Sequence, residues 1–378
     1  MRKLSNVNCP GGMIYFDAET GIITGCNKYL TEGNVEIPDE IDGVAVTGIR
    51  HSGFHSCASI TSIQLPETIK KIGENSFSNC SSLKEFIIPK GVRAVETGVF
   101  YRCRSLELIE IPLGVMDIQE SAFEECILLE EIQLPETVMK IGSRSFSRCT
   151  SLKSVTFADG ITEISDGAFN GCSSLESITL PKKLINLGKA VFEGCQSLKS
   201  LAVPDSVIKI GSSFCAGCGS MRFVKLSAGL KSLEAYSFQD CTSLISIKLP
   251  DGLENIGEKA FEGCGALVSI SIPRSIEVIN EYTFSGCRAL KSVMIPRSVT
   301  KIEDGAFEGC ISLKDVYFAG TEAEWNSIRF RDRFYDSVRI HCSGRMEAGT
   351  QPPKAEKPAS DSFKSGSFWS RDFFQNVK

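Results

Sequence analysis

The residues of this chain best suited to chemistry are thiols, and they are spaced with unusual regularity. Sixteen cysteines stand among 378 residues, and twelve of the thirteen from Cys57 to Cys310, all but Cys215, follow one another at intervals of 23. Thiols can ligate metals, exchange disulfides or act as nucleophiles, and Cys215-x-x-Cys218 has the sharpest spacing for such roles. The interval argues instead for packing. A cysteine that recurs once per unit behaves as a small buried hydrophobe in a fixed slot, and Cys218 occupies that ordinary slot. Equivalent cysteines on adjacent units would sit ~5 Å apart with parallel side chains, a poor geometry for disulfides. Cys9 and Cys26 lie outside the ladder and could pair in an oxidising compartment. The three histidines, His51, His55 and His341, show no spacing to a nucleophile or a metal ligand. Gly73, Gly142 and Gly188 recur with the unit, as turn residues do, and form no phosphate loop. No catalytic, cofactor or metal set is therefore expected, and the chain reads as a non-enzyme.

The elements that carry these cysteines form a repeat without insertion or deletion. Three residues before each ladder cysteine stands a phenylalanine, from Phe54 to Phe307, except at Cys215; three residues after comes leucine or a relative, as at Leu83 and Leu106. The unit Leu83-x-x-Phe86-x-Ile88-Pro89-x-x-Val92-x-x-Val95, followed by Phe100 and Cys103, matches neither a helical nor a strand period throughout. Its alternation at Phe86 and Ile88 predicts a short strand that Pro89 ends, because proline has no N–H for the ladder. The segment from Val95 to Cys103 suits a short helical turn that brings the chain back. Each unit is one coil, too small to stand alone, and stacking pairs the strands and buries both faces of internal coils.

Both ends of the stack need covering, and both depart from the repeat. Ile14-Tyr15-Phe16 and Ile22-Ile23-Thr24 flank Asp17-Ala18-Glu19-Thr20-Gly21, a hairpin pattern, and Val35-Glu36-Ile37-Pro38 begins an irregular first coil. At the far end Thr321-Glu322-Ala323-Glu324 is a capping-box pattern ahead of Trp325 and Ile328. It predicts a closing helix, with a last strand over Ser337 to Cys342. The sequence thus divides into a cap and irregular first coil (1–53), a solenoid (54–318), a second cap (319–342) and a polar, proline-rich linker (343–378), expected to be disordered, that ends in Phe363, Phe368, Trp369, Phe373 and Phe374.

Composition narrows the partners. A hydrophobic content of 42% with 23% charged residues provides ample core, yet no apolar run approaches the ~18 residues of a membrane span. A net charge of -5 gives no basic face for phosphate backbones, so nucleic acid is not an expected partner. Residues 1–12 lack the apolar stretch of a secretory signal, which on its own would leave the chain in the cytoplasm.

The motif Leu-x-x-Ile-x-Leu-Pro-x-x-Val-x-x-Ile, followed by Ala-Phe-x-x-Cys as in Ala122-Phe123-Glu124-Glu125-Cys126, resembles the BspA-like subclass of leucine-rich repeats across roughly residues 34 to 342. The resemblance implies an α/β leucine-rich-repeat solenoid of 23-residue coils stacked into a parallel sheet, with irregular caps. It also implies a surface-displayed protein that attaches to host proteins or other cells. The asparagine ladder of other leucine-rich repeats is absent, its position being taken by Thr68, Gly91, Gly114, Thr137, Gly160 or Ser206.

Inward strand residues fill the core, so specificity must reside in the outward ones. The early coils present Glu85, Glu110 and Glu131 beside Ile87 and Leu108; the middle is small and hydroxylated; Phe223, Lys225 and Lys248 form a later patch. Apolar side chains on a polar face are candidate anchors. The reading is a binding solenoid whose exposed sheet contacts a protein or glycan, with adhesion as its role. The alternative is an intracellular scaffold or inhibitor that uses the same face on a cytosolic protein, in keeping with so many thiols. One coil stands apart: Cys215 replaces the phenylalanine, Met221 the leucine and Ser227 the proline. Either the backbone shifts to bring the ring of Phe214, one position early, into the phenylalanine stack or Cys215 faces inward and leaves a void; Phe214 is expected to be substantially buried.

Overall fold

The computed structural model describes residues 4–29, 31–330 and 334–343. The linker and aromatic tail expected beyond Ser343 lie outside the described residues. About 14 coils of some 23 residues stack into a parallel β-solenoid with little helix, and their buried side chains form one core from Ile14 to Phe318.

Three hydrogen-bonded ladders run along the stack, the first two with interruptions. The first is the expected sheet, here called the front sheet, in which Glu85, Phe86 and Ile87 pair with Leu108, Ile109 and Glu110. The second is a two-residue strand at the next corner, where Ala94–Val95 pairs with Asp117–Ile118 and that with Lys140–Ile141. Two residues leave too little alternation for this ladder to stand out in the sequence.

The third ladder replaces the helical turn expected between Val95 and Cys103. From Gly98 to Cys103 the N–H groups alternate: Gly98, Phe100 and Arg102 donate to Glu120, Ala122 and Glu124 of the next coil, while Val99, Tyr101 and Cys103 donate within their own coil to Glu96, Gly98 and Phe100. A helix needs an unbroken run of right-handed residues, but Gly98 and Arg102 both sit at φ 59°. Every donor is nonetheless used, which satisfies a buried backbone without a helix.

This ladder explains the cysteines. Cys103 Sγ donates to the carbonyl of Phe77 at 3.1 Å, and Cys126 Sγ to that of Phe100 at 3.2 Å. The same bond recurs up to Cys310 and Phe284, so each thiol fastens its coil to the preceding one. Beside them the phenylalanine rings stack face to face, 5.4 Å apart from Phe100 to Phe123 and 5.2 Å from Phe123 to Phe146.

The front sheet is less continuous than the sequence suggested. Its strands group as Gly33–Glu36 to Leu108–Glu110, Glu131–Gln133 with Ser154–Thr156, Ser200–Ala202 to Ser246–Ile247, and Ser269–Ser271 to Arg339–Cys342. Residues 177–179 form no strand. A three-residue strand makes so few ladder bonds that slight splay between coils removes them, while the core beneath continues.

The ends are closed as expected. Gly12–Asp17 and Ile22–Cys26 form the antiparallel hairpin, which a further strand, Leu4–Cys9, extends. The hairpin joins the coils through Ile22–Cys26, parallel to Gly48–Ile49. At the other end Thr321 and Glu324 make a reciprocal capping box on the helix Glu322–Ser327, and Arg339–Cys342 adds the last front strand beside Asp315–Phe318. Phe334 lies 5.2 Å from Phe307 and so ends the phenylalanine column.

In the irregular coil Phe214 is fully buried, as is Cys215. Phe214 occupies the slot that holds Ala122, Ser145 or Ala168 elsewhere, while Cys215 donates its N–H as a column phenylalanine does. Large and small side chains have exchanged places. The Phe214 ring therefore meets Phe192 edge-on at 5.6 Å and Phe238 edge-on at 6.5 Å, which breaks the stack.

Candidate functional site

The front sheet brings part of the candidate set together. Glu85 lies opposite Leu108, and Ile87 opposite Glu110, on directly paired strands. Glu85 and Glu110 thus occupy one diagonal of a small area, and Ile87 and Leu108 the other. Ile87 is 60% exposed and Leu108 54%, large values for aliphatic side chains on ordered strands. The backbone fixes both because Phe86 and Ile109, between the outward residues, are buried. Glu131 projects from the next coil, across a gap in the hydrogen-bonded ladder, and is aligned with Ser154 on its far side.

The later residues form a separate patch. Phe223 sits between Ser200 and Ser246 on adjacent strands and is half-buried, with the Arg222 guanidinium 5.8 Å from its ring centroid. Lys225, on the same strand, reaches Asp205 at 4.0 Å. Lys248 is exposed just past the Ser246–Ile247 strand. Six coils separate Glu85 from Phe223, on the order of 29 Å at the usual strand spacing. One compact ligand would not touch both.

The thiols are placed for structure. All sixteen are free, and burial pushes the ladder thiols up, to about 12 for Cys80 and well above the ordinary range for Cys126 and Cys172. A thiol held protonated is a poor nucleophile and a poor ligand. Cys215 and Cys218 are both fully buried, and burial raises Cys215 strongly, ahead of its hydrogen bond with Cys218. Cys26, which lies outside the ladder with Cys9, is lowered by a hydrogen bond with Cys57. Among the histidines, His341 contacts Asp315 at 2.8 Å and stacks on Tyr317 at the last coil. Asp315 is lowered by that contact and then by Arg339.

Two surface features escaped sequence reasoning. Glu125, nearly buried in a left-handed conformation, accepts hydrogen bonds from Arg104 at 2.7 Å and Arg102 at 3.2 Å. Arg104 first, then Arg102, hold its carboxyl below the usual range. Second, Met116, Met139, Ile185 and Ile208 are exposed beside the second ladder. Their recurrence at the 23-residue interval is the signal in the sequence that marks them.

The sequence profile described as "BspA type Leucine rich repeat region (6 copies)" matches residues 47–131, 117–228 and 209–334. The chain belongs to this family of leucine-rich repeat proteins. Among solved structures it is similar to a leucine-rich repeat protein from Bacteroides ovatus, at 27% identity and a TM-score of 0.56, over 90% of this chain and 98% of that one. It also shares its fold with a leucine rich cell surface protein from Faecalibacterium prausnitzii, at 24% identity and a TM-score of 0.52, over 87% and 99% of the two chains. No curated protein matches it. No helix among the described residues is long and apolar enough to cross a membrane.

Proposed function

We propose that the chain is a non-enzymatic binding solenoid whose early front sheet, at Glu85, Ile87, Leu108, Glu110 and Glu131, holds a protein ligand, and that this contact serves adhesion at a cell surface. The observation that carries the reading is the pair of strongly exposed aliphatic side chains on directly paired strands, with a carboxylate beside each. Binding energy concentrates in a few apolar anchors at the centre of a contact, while charges around them set orientation and partner choice. Aliphatic anchors among carboxylates suit an apolar surface rimmed with lysine or arginine, which favours a protein over a glycan. Phe223, Lys225 and Lys248 would take a second contact of opposite charge. The adhesive role rests on the family resemblance. The alternative of an intracellular scaffold drew on the thiols, but buried thiols bonded to carbonyls suit either side of a membrane.

Arrayed matrix proteins, cell-surface proteins and glycans probed with the full chain, and with Ile87→Glu/Leu108→Glu, test this. Binding to arrayed proteins that is lost in the variant is expected. Binding confined to glycans, or unchanged by the double substitution, would overturn the reading.

A further inference from the structure

We infer that the side of the solenoid next to the second ladder joins a second copy of this chain in antiparallel register, about an axis through Thr162. The surface consists of one residue from each of five consecutive coils: Met116, Met139, Thr162, Ile185 and Ile208. The four apolar members are 41, 53, 47 and 59% exposed. Beyond the strip the same position turns polar, with Lys70 and Arg93 on one side and Lys231, Glu254 and Glu277 on the other. An apolar strip with a charged rim is how a contact surface is composed, and no element among the described residues covers it.

The order of residues selects the occupant. A two-fold axis lying in the surface and crossing the strip at Thr162 runs the second copy backwards along the same column. Met139 then faces Ile185 of the second copy, and Met116 faces its Ile208; symmetry repeats both contacts. Leu113, 71% exposed beside Met116, falls opposite Asp205, which Lys225 of the same chain reaches at 4.0 Å. Away from the axis each flanking column sets one pair of opposite charges face to face. On one side the reversed column brings Asp117 opposite Lys209, and on the other Glu136 opposite Lys182. Each of these pairs forms twice across the axis, and none of the four residues has an ion-pair partner among the described residues.

At the axis itself Glu163 and Asp159 meet their own copies. Glu163 is already engaged by Lys140 of the preceding coil at 2.9 Å, and Lys182 and Lys183 stand one coil from Asp159. Five coils extend on the order of 20 Å along the stack. The strip alone falls short of the ~800 Å² per partner of a stable interface, so the charged columns must share in it and the association should be reversible and salt-sensitive.

Sedimentation velocity of the full chain over a wide concentration range tests the proposal. The parent is expected to move from the 41.2 kDa monomer toward twice that mass, and Met139→Glu/Ile185→Glu to remain monomeric with an unchanged melting temperature. Asp117 and Lys209 are four coils apart and cannot meet within one chain, so their exchange reports the register. Asp117→Lys and Lys209→Asp should each weaken dimerisation about tenfold, and the two together should restore it. A parent that stays monomeric, a dimer indifferent to the Met139/Ile185 variant, or a charge exchange without rescue would each overturn the inference.

Discussion

The interior columns and the front face of this solenoid follow opposite rules. Inside, the same side chain returns at each step: phenylalanine rings 5.2–5.9 Å apart and nearly parallel, and thiols bonded to the carbonyl of the preceding coil. Outside, the outward strand positions change from coil to coil, from Glu85 and Ile87 through serines and threonines to Phe223 and Lys225. Repetition marks the residues that hold the stack together, because every internal coil has the same two neighbours to satisfy. Variation marks the residues whose environment is solvent or a ligand. A substitution in a column should therefore cost stability along the stack, and one on the face should cost none.

The largest effect is expected inside. Phe123 is fully buried between two parallel rings, so Phe123→Ala should lower unfolding stability by ~3–5 kcal/mol. Denaturant unfolding measures this, and a loss below ~1 kcal/mol would show that the column carries less than its geometry suggests. A smaller and more local effect should appear where the column is irregular. Phe214 keeps its volume in the core but loses face-to-face stacking with both neighbours. Hydrogen exchange should accordingly find the lowest protection of any internal coil between Ile210 and Leu230. Uniform protection along the stack would mean that edge-on packing replaces stacking without loss.

How much of this was legible in the sequence follows from the same contrast. The coil length, the phenylalanine and cysteine columns, the hairpin at Asp17–Gly21 and the capping box at Thr321 could all be read, because each rests on spacing or local chemistry. The inward turn of Phe214 was legible too, since an empty phenylalanine slot beside a displaced ring has few solutions. The third ladder was not. Its left-handed positions hold Asn79, Arg102, Glu125 and Arg148 as well as the glycines, so composition does not announce them, and the spacing alone suits a short helical turn. For the surface, sequence could say which strand residues point outward. It could not show that the front ladder breaks between Glu110 and Glu131.

The central claim is that the face binds while the columns hold, and one variant tests both halves. Ile87, Leu108, Glu110 and Glu131 would be replaced together by serine, and melting temperature would be measured beside affinity for a protein that the parent chain binds. Surface changes of this kind leave stability within ~0.5 kcal/mol each, while the loss of two anchors and their charged rim should weaken binding by ~2–4 kcal/mol, some thirtyfold to a thousandfold. An unchanged melt with that loss of affinity is the predicted result. Affinity that survives all four substitutions would contradict the account and move the binding surface elsewhere on the molecule.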